Sequence, residues 1–235
     1  MTVQRPPQSN QRGDFIVREK AGDGRRDFSG YRRGGHCRQL CYASRVFDTH
    51  DEDEPEWRRP AGLFVLAPIE GPAGDQVHAL QRRYDPKMAA AHGPHVTLIG
   101  SSGVGPIRPG TPIDEVRAAL DAVARASPPL SLYFGAPTRF MQSEIVSLPF
   151  DPHGPLRALH ERIVRSGLPV APARFTFTPH VTLSFYPTLT RERARELLAV
   201  RVTEPAELRR LIVSATDDPF PPKPIYEVAL TLFLE

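Results

Sequence analysis

The 235-residue sequence is poor in several features that would assign it quickly to a class. It holds only two cysteines, Cys37 and Cys41, too few for a disulfide framework. No run approaches the ~18 consecutive apolar residues of a membrane-spanning helix, and no apolar stretch near the start would serve as a signal peptide. A soluble, cytoplasmic protein with no membrane contact is expected. Lysine is scarce, at three against 27 arginines, and the formal charge of +3 is unevenly held. Residues 1–59 carry 12 basic against 10 acidic residues, which leaves 18 against 17 for the rest. Such a nearly neutral body lacks the basic face that broad phosphate-backbone binding needs. A small phosphorylated ligand or an RNA end fits better.

Residues 1–59 also lack sustained hydrophobic periodicity, passing from an arginine-rich, glycine-dotted stretch to Asp51-Glu52-Asp53-Glu54. A disordered N-terminal tail is expected there. Its His36, Cys37 and Cys41 lack a fourth ligand and the usual zinc spacing, so no metal is expected. The folded domain is expected over residues 60–235, in two lobes.

What is present begins at Gly62–Ala67, an apolar run closed by Pro68 that reads as a buried strand. A helix over 72–84 follows, with Val77, Leu80 and Tyr84 on one face. Pro94–Ile99 reads as a strand leading into a loop through Pro109. Thr111-Pro112 predicts a capped helix to about Ser127, with Val116, Leu120 and Val123 buried. Strands are expected over 130–136 and 144–150, separated by a loop holding Pro137, Thr138 and Arg139. Asp151-Pro152 opens a helix whose core face is Leu156, Leu159 and Ile163, and Gly167 and Pro169 end it. Pro179–Phe185 reads as a strand, Thr190 caps a helix to about Val200, and strands over 208–215 and 226–234 close a domain of α+β or α/β class with a suggestion of two related halves.

The most informative feature is a repeat. Pro-His-Val-Thr-Leu occurs at residues 94–98 and again at 179–183, with its histidines 85 residues apart. Side chains of a strand alternate between faces. His95 and Thr97 therefore share one face and Val96 and Leu98 the other, and His180 and Thr182 separate from Val181 and Leu183 in the same way. If both polar faces line one cleft, two imidazoles and two hydroxyls surround a single small anion. One neutral imidazole can then take a proton from an attacking hydroxyl or water while a protonated one gives a proton to the leaving oxygen. The threonines can donate to non-bridging phosphate oxygens. Neither motif contains Asp, Glu or Cys to complete a metal shell, so no metal and no cofactor is expected.

At these residues the chain resembles the two-histidine (2H) phosphoesterase superfamily, marked by two H-x-[TS] motifs, and within it the bacterial 2′-5′ RNA ligase and cyclic phosphodiesterase group. The resemblance covers about residues 61–235. It implies a bilobal, pseudo-twofold-symmetric α+β fold with antiparallel strands lining a central cleft. It further implies His95 and His180 as the catalytic pair and Thr97 and Thr182 as phosphate-binding hydroxyls. Activity is expected on a cyclic phosphate or 2′-5′ phosphodiester of a nucleotide or RNA terminus. ATP-independent 2′-5′ ligation and binding of an RNA end or nucleotide without turnover are the alternatives. Many ligase-like members carry a basic residue shortly after the second motif, whereas Ser184-Phe185-Tyr186 stands here, which counts against ligation and long-RNA recognition.

Further substrate-binding candidates are His92, three residues before His95; Arg139 and Phe140, suited to a phosphate and a base; and Tyr186, suited to stacking. Gly100, Gly103 and Gly105 would allow a close backbone approach to a phosphate or form a flexible cleft wall. A monomer is expected.

Overall fold

The computed structural model describes residues 62–140, 143–173, 175–185, 189–215 and 223–231. The expected tail, the His36, Cys37 and Cys41 cluster, and Tyr186 lie outside the described residues. In chain order the elements are β1 (Leu63–Pro68), α1 (Gly71–Tyr84), α2 (Pro86–Ala91), β2 (His95–Ile99), β3 (Val104–Ile107), α3 (Ile113–Arg125), β4 (Leu130–Leu132), β5 (Thr138–Arg139), β6 (Val146–Pro149), α4 (Pro155–Arg165), β7 (Val170–Pro172), β8 (His180–Ser184), α5 (Arg191–Ala199), β9 (Ala206–Leu208), β10 (Arg210–Ala215) and β11 (Lys223–Ala229). No helix among the described residues is long and apolar enough to cross a membrane.

The helices form where an apolar stripe and a start signal coincide. Helix α1 buries Val77 and Tyr84 and, unexpectedly, Gln81 on the same face. Helix α3 buries Val116, Leu120 and Val123 as the period requires, but it starts without the threonine cap. The Thr111 hydroxyl instead donates back to the Arg108 carbonyl at 2.7 Å, and Pro112 takes the capping position. Thr190 does cap α5, accepting from the Arg193 amide. Helix α4 begins at Pro155, later than Asp151-Pro152 predicts, because the Asp151 carboxylate closes a preceding turn on the His153 amide at 2.9 Å. The short helix α2 was unanticipated. Its signal is Asp85, whose carboxylate accepts from the Met88 amide at 3.0 Å, followed by Pro86.

Several strands also depart from expectation. The segment read as a loop through Pro109 contains β3, which pairs β1 and β7. Pro106, which has no amide hydrogen, sits in this short strand away from the main sheet path. The expected strand over 130–136 is ordered as strand only in β4, and that strand joins β9 in a separate two-stranded sheet. The expected strand from Leu208 accordingly divides at Arg209, whose carbonyl accepts the Leu230 amide. Thr138 and Arg139, expected in a loop, form the edge strand β5.

All the pairings are antiparallel, and the main sheet is open, running β11-β10-β1-β2-β8-β6-β5. Its centre is symmetric. Val96 of β2 lies opposite Val181 of β8, the same position of the repeat on each strand. Outward, β1 puts Pro68, Ala67 and Leu66 opposite His95, Val96 and Thr97, and β6 puts Pro149, Leu148 and Ser147 opposite His180, Val181 and Thr182. Equivalent backbone bonds follow each pair: Ile69 donates to the Pro94 carbonyl and Phe150 to the Pro179 carbonyl, both at 2.9 Å. A local twofold axis thus passes between Val96 and Val181. Val96, Leu98, Val181 and Leu183 are fully buried, and α1 packs against β8 while α4 packs against β2. Burial of this aliphatic face fixes which way the polar face turns, since a one-residue slip would expose the core set.

Candidate functional site

The two repeat strands have the same burial pattern, half-buried at His95, Thr97, His180 and Thr182 and buried between them. Alternation within each strand, together with the shared Val96–Val181 rung, puts the four polar side chains on the face opposite the core. Both imidazoles are held in the same way. His95 Nδ1 lies 2.7 Å from the Gly93 carbonyl and His180 Nδ1 lies 2.8 Å from the Thr178 carbonyl, each two residues back along the chain. A carbonyl can only accept, so Nδ1 carries the proton in each neutral ring and Nε2 is left with its lone pair.

Burial disfavours the cation at both positions. The His95 pKa is pushed down to about 4, chiefly by desolvation, which overrides the opposing bond to Gly93, with smaller lowering contributions from His92 and His180. His180 is also lowered by desolvation, against its bond to Thr178. Burial thus favours the neutral ring at both positions, with a lone pair at Nε2. A phosphate brought between two neutral imidazoles would favour protonation of one of them.

Among the described residues, each ring has one aromatic neighbour. The His92 ring lies 5.8 Å from that of His95, tilted by 40°. Phe140 meets His180 edge-on, with centroids 5.0 Å apart and planes at 77°. Sequence reasoning gave His92 and Phe140 as candidates, and both are at the site. Arg139 alternates to the other side of β5 and its guanidinium pairs with Glu144 at 3.6 Å. The register also brings in residues that sequence reasoning missed. Thr138 lies opposite Ser147, which lies opposite Thr182, so register sets a buried serine and an exposed threonine beside Thr182 across β6 and β5. Only strand pairing could have found them, because nothing local marks either residue. On the other flank, the position equivalent to Ser147 is Leu66.

The glycines after the first motif have packing roles. Gly100 has φ +132°, and a Cβ there would stand 2.1 Å from the Phe64 ring; Gly103 has φ +75°, and a Cβ would stand 2.5 Å from His160 Nε2. Both need glycine for their own conformation and for close approach of a ring. Among the described residues, no three His, Cys, Asp or Glu side chains form a group that could hold a metal ion.

Comparison with known proteins places the chain in a family. The sequence model of the 2′-5′ RNA ligase superfamily matches residues 69–216, more than half of the chain, and the chain belongs to that superfamily. No curated protein sequence matches it. Among solved structures it is similar to a protein described as a phosphoesterase (20% identity, 73% of this chain and 99% of that one, TM-score 0.46). It is also similar to Escherichia coli LigT complexed with 3′-AMP (17%, 73% and 99%, 0.46) and to a Thermus thermophilus protein, TT0787 (17%, 72% and 98%, 0.47).

Proposed function

We propose that the chain is a metal-independent phosphodiesterase that opens a cyclic phosphate, or cleaves a 2′-5′ phosphodiester, of a nucleotide or RNA end by acid and base catalysis from His95 and His180. Supporting this is one observation above others: two imidazoles with the same carbonyl bond at Nδ1 stand at symmetric positions on one polar face. On a 2′,3′-cyclic phosphate, neutral Nε2 of one histidine takes a proton from water as its oxygen bonds to phosphorus. The bond from phosphorus to one ribose oxygen breaks on the opposite side, and that oxygen takes a proton from Nε2–H of the other histidine. One ring ends with a proton gained and the other with one lost, and exchange with solvent restores both. Thr97 and Thr182 donate to the non-bridging oxygens.

The two roles divide unequally. His95 stands beside a second histidine, whose charge would disfavour a proton on its own ring, and we assign it as the base. His180, shielded by Phe140 rather than by another titratable ring, serves as the acid. Phe140 also offers an apolar surface to the nucleoside next to the scissile phosphate. Hydrolysis fits better than ligation, because after the second motif the chain offers Ser184, buried, and Phe185, whose amide donates to Asp85 at 2.7 Å, and no cation. A monomer suffices, since both motifs come from one chain.

The test is to incubate the full chain with nucleoside 2′,3′-cyclic phosphates in EDTA. A bell-shaped pH–rate profile that His95→Ala or His180→Ala abolishes is expected. Tight binding without turnover of cyclic nucleotides, 2′-5′-linked dinucleotides or RNA ends would leave a binding module instead.

A further inference from the structure

Two strands that meet at a single rung have no ladder to set the angle between them, and β2 and β8 share only the Val96–Val181 pair. The four cleft side chains ride on these strands, so some other contact must hold their separation. Two buried polar side chains are placed to do so. Gln81 of α1, 3% exposed, donates Nε2–H to the Thr182 carbonyl at 2.8 Å. His160 of α4, 5% exposed, donates Nδ1–H to the Leu98 carbonyl at 2.7 Å.

The arrangement is crossed. Helix α1 precedes the first motif yet grips the second, and α4 precedes the second yet grips the first. Each helix is tied by chain connection to one repeat strand and by a buried hydrogen bond to the other. His160 reaches further, since its ring stacks on Phe177 at 4.0 Å with planes 7° apart, and Phe177 leads into β8. Gly103, just past β2, closes against the same ring. The imidazole is therefore wedged between the exit of one motif and the entrance of the other. At the other end Asp85, following α1, accepts from the Phe185 amide and lies 3.5 Å from the Ser184 hydroxyl, extending the grip of α1 along β8.

We infer that Gln81 and His160 are positioning residues, a reciprocal brace that holds the two motif strands at the spacing at which His95, Thr97, His180 and Thr182 address one phosphate. Neither touches the anion. Their effect on turnover passes through strand placement, where a displacement of about 1 Å can cost on the order of 100-fold in rate. The inference builds on the two-histidine reading, and a binding measurement separates the two.

The experiment compares full-length wild type with His160→Phe, which keeps a ring on Phe177 and loses the donor, and with Gln81→Met, which keeps the length and loses the donor. Thermal midpoints select a temperature at which all three are folded. There, kcat and KM on a nucleoside 2′,3′-cyclic phosphate and the affinity for inorganic phosphate, read from the His95 and His180 imidazole resonances, are measured. The brace predicts a fall in kcat of about 10- to 100-fold, with KM raised and phosphate affinity weakened together by up to about tenfold. Variants that are less stable but, while folded, bind phosphate and turn over within twofold of wild type would overturn it. If wild type itself shows no turnover, the phosphodiesterase reading falls and the phosphate titration alone decides the brace: weaker binding in the variants supports it, and unchanged binding overturns it.

Discussion

The two halves of the central sheet carry the same five residues, the same burial pattern and the same imidazole–carbonyl bond, yet they differ in the side chains that stand beside the two rings and opposite the two threonines. Beside His95 stands a second histidine, and opposite Thr97 stands Leu66. Beside His180 stands a phenylalanine, and opposite Thr182 stands Ser147, continued by Thr138. In the proposed mechanism, repetition supplies the acid–base pair and the unrepeated flanks distinguish its two members. The β8 flank is the more polar and lies next to Phe140, so the nucleoside is expected on that side of the phosphate.

The largest test of this comparison removes each imidazole in turn. His95→Ala and His180→Ala should each lower kcat/KM on a cyclic nucleotide by about 10²- to 10⁴-fold, the usual weight of one acid or base. A substrate with a 4-nitrophenolate leaving group needs no acid, so steady-state assays with a nucleoside 4-nitrophenyl phosphodiester should restore most of the loss in His180→Ala and none in His95→Ala. Restoration in the opposite variant would invert the assignment. Next in size, Thr97→Val and Thr182→Val should each cost about 10- to 100-fold, one hydrogen bond to a charged oxygen apiece. Losses that differ by more than about threefold would show that the flanks, and not the repeat, decide phosphate binding.

Smaller effects concern protonation. Phe140→Ala should let water reach His180 and raise its pKa toward the ordinary histidine value while leaving His95 low, as read from imidazole proton shifts against pH. Stability should depend on acid in a defined direction. The folded His95 pKa is depressed to about 4, so between that value and the unfolded value of about 6.5 the unfolded chain binds the extra proton. The contribution is complete above about pH 6.5 and is lost as pH falls toward 4, and His180 acts in the same direction. Thermal midpoints should therefore fall across that window, with a shallower slope in His95→Gln. Smallest of all should be the difference between Val96→Ala and Val181→Ala, which sit on the axis and should each destabilise by about 2 kcal/mol in urea unfolding.

Much of this site was legible because its signal is local. Alternation in a five-residue strand assigns His95 and Thr97 to one face without any knowledge of the partner strand. The apolar stripes of α1, α3 and α4 were equally plain, and Thr190 announced α5. Strands β3 and β5 were hidden because they span four and two residues and lean on distant partners, with Gly105 and Pro106 inside one of them. Ser147 and Thr138 come beside Thr182 only through register, which no local pattern contains. The brace was hidden differently. His160 lies next to Leu159 on the buried face of α4, and Gln81 lies four residues after Val77 on that of α1. Their spacing matched core positions, but their polarity reads as surface until the carbonyls they reach are known.

The central claim is that four side chains from two repeats serve one anion. Titrating the full chain with a nucleoside 2′-monophosphate while following the His95 and His180 imidazole resonances tests it most directly. Both rings are expected to shift together, along one binding curve with one ligand per chain, and both to gain protonation at a given pH. A shift at one ring alone, or two independent curves, would contradict it.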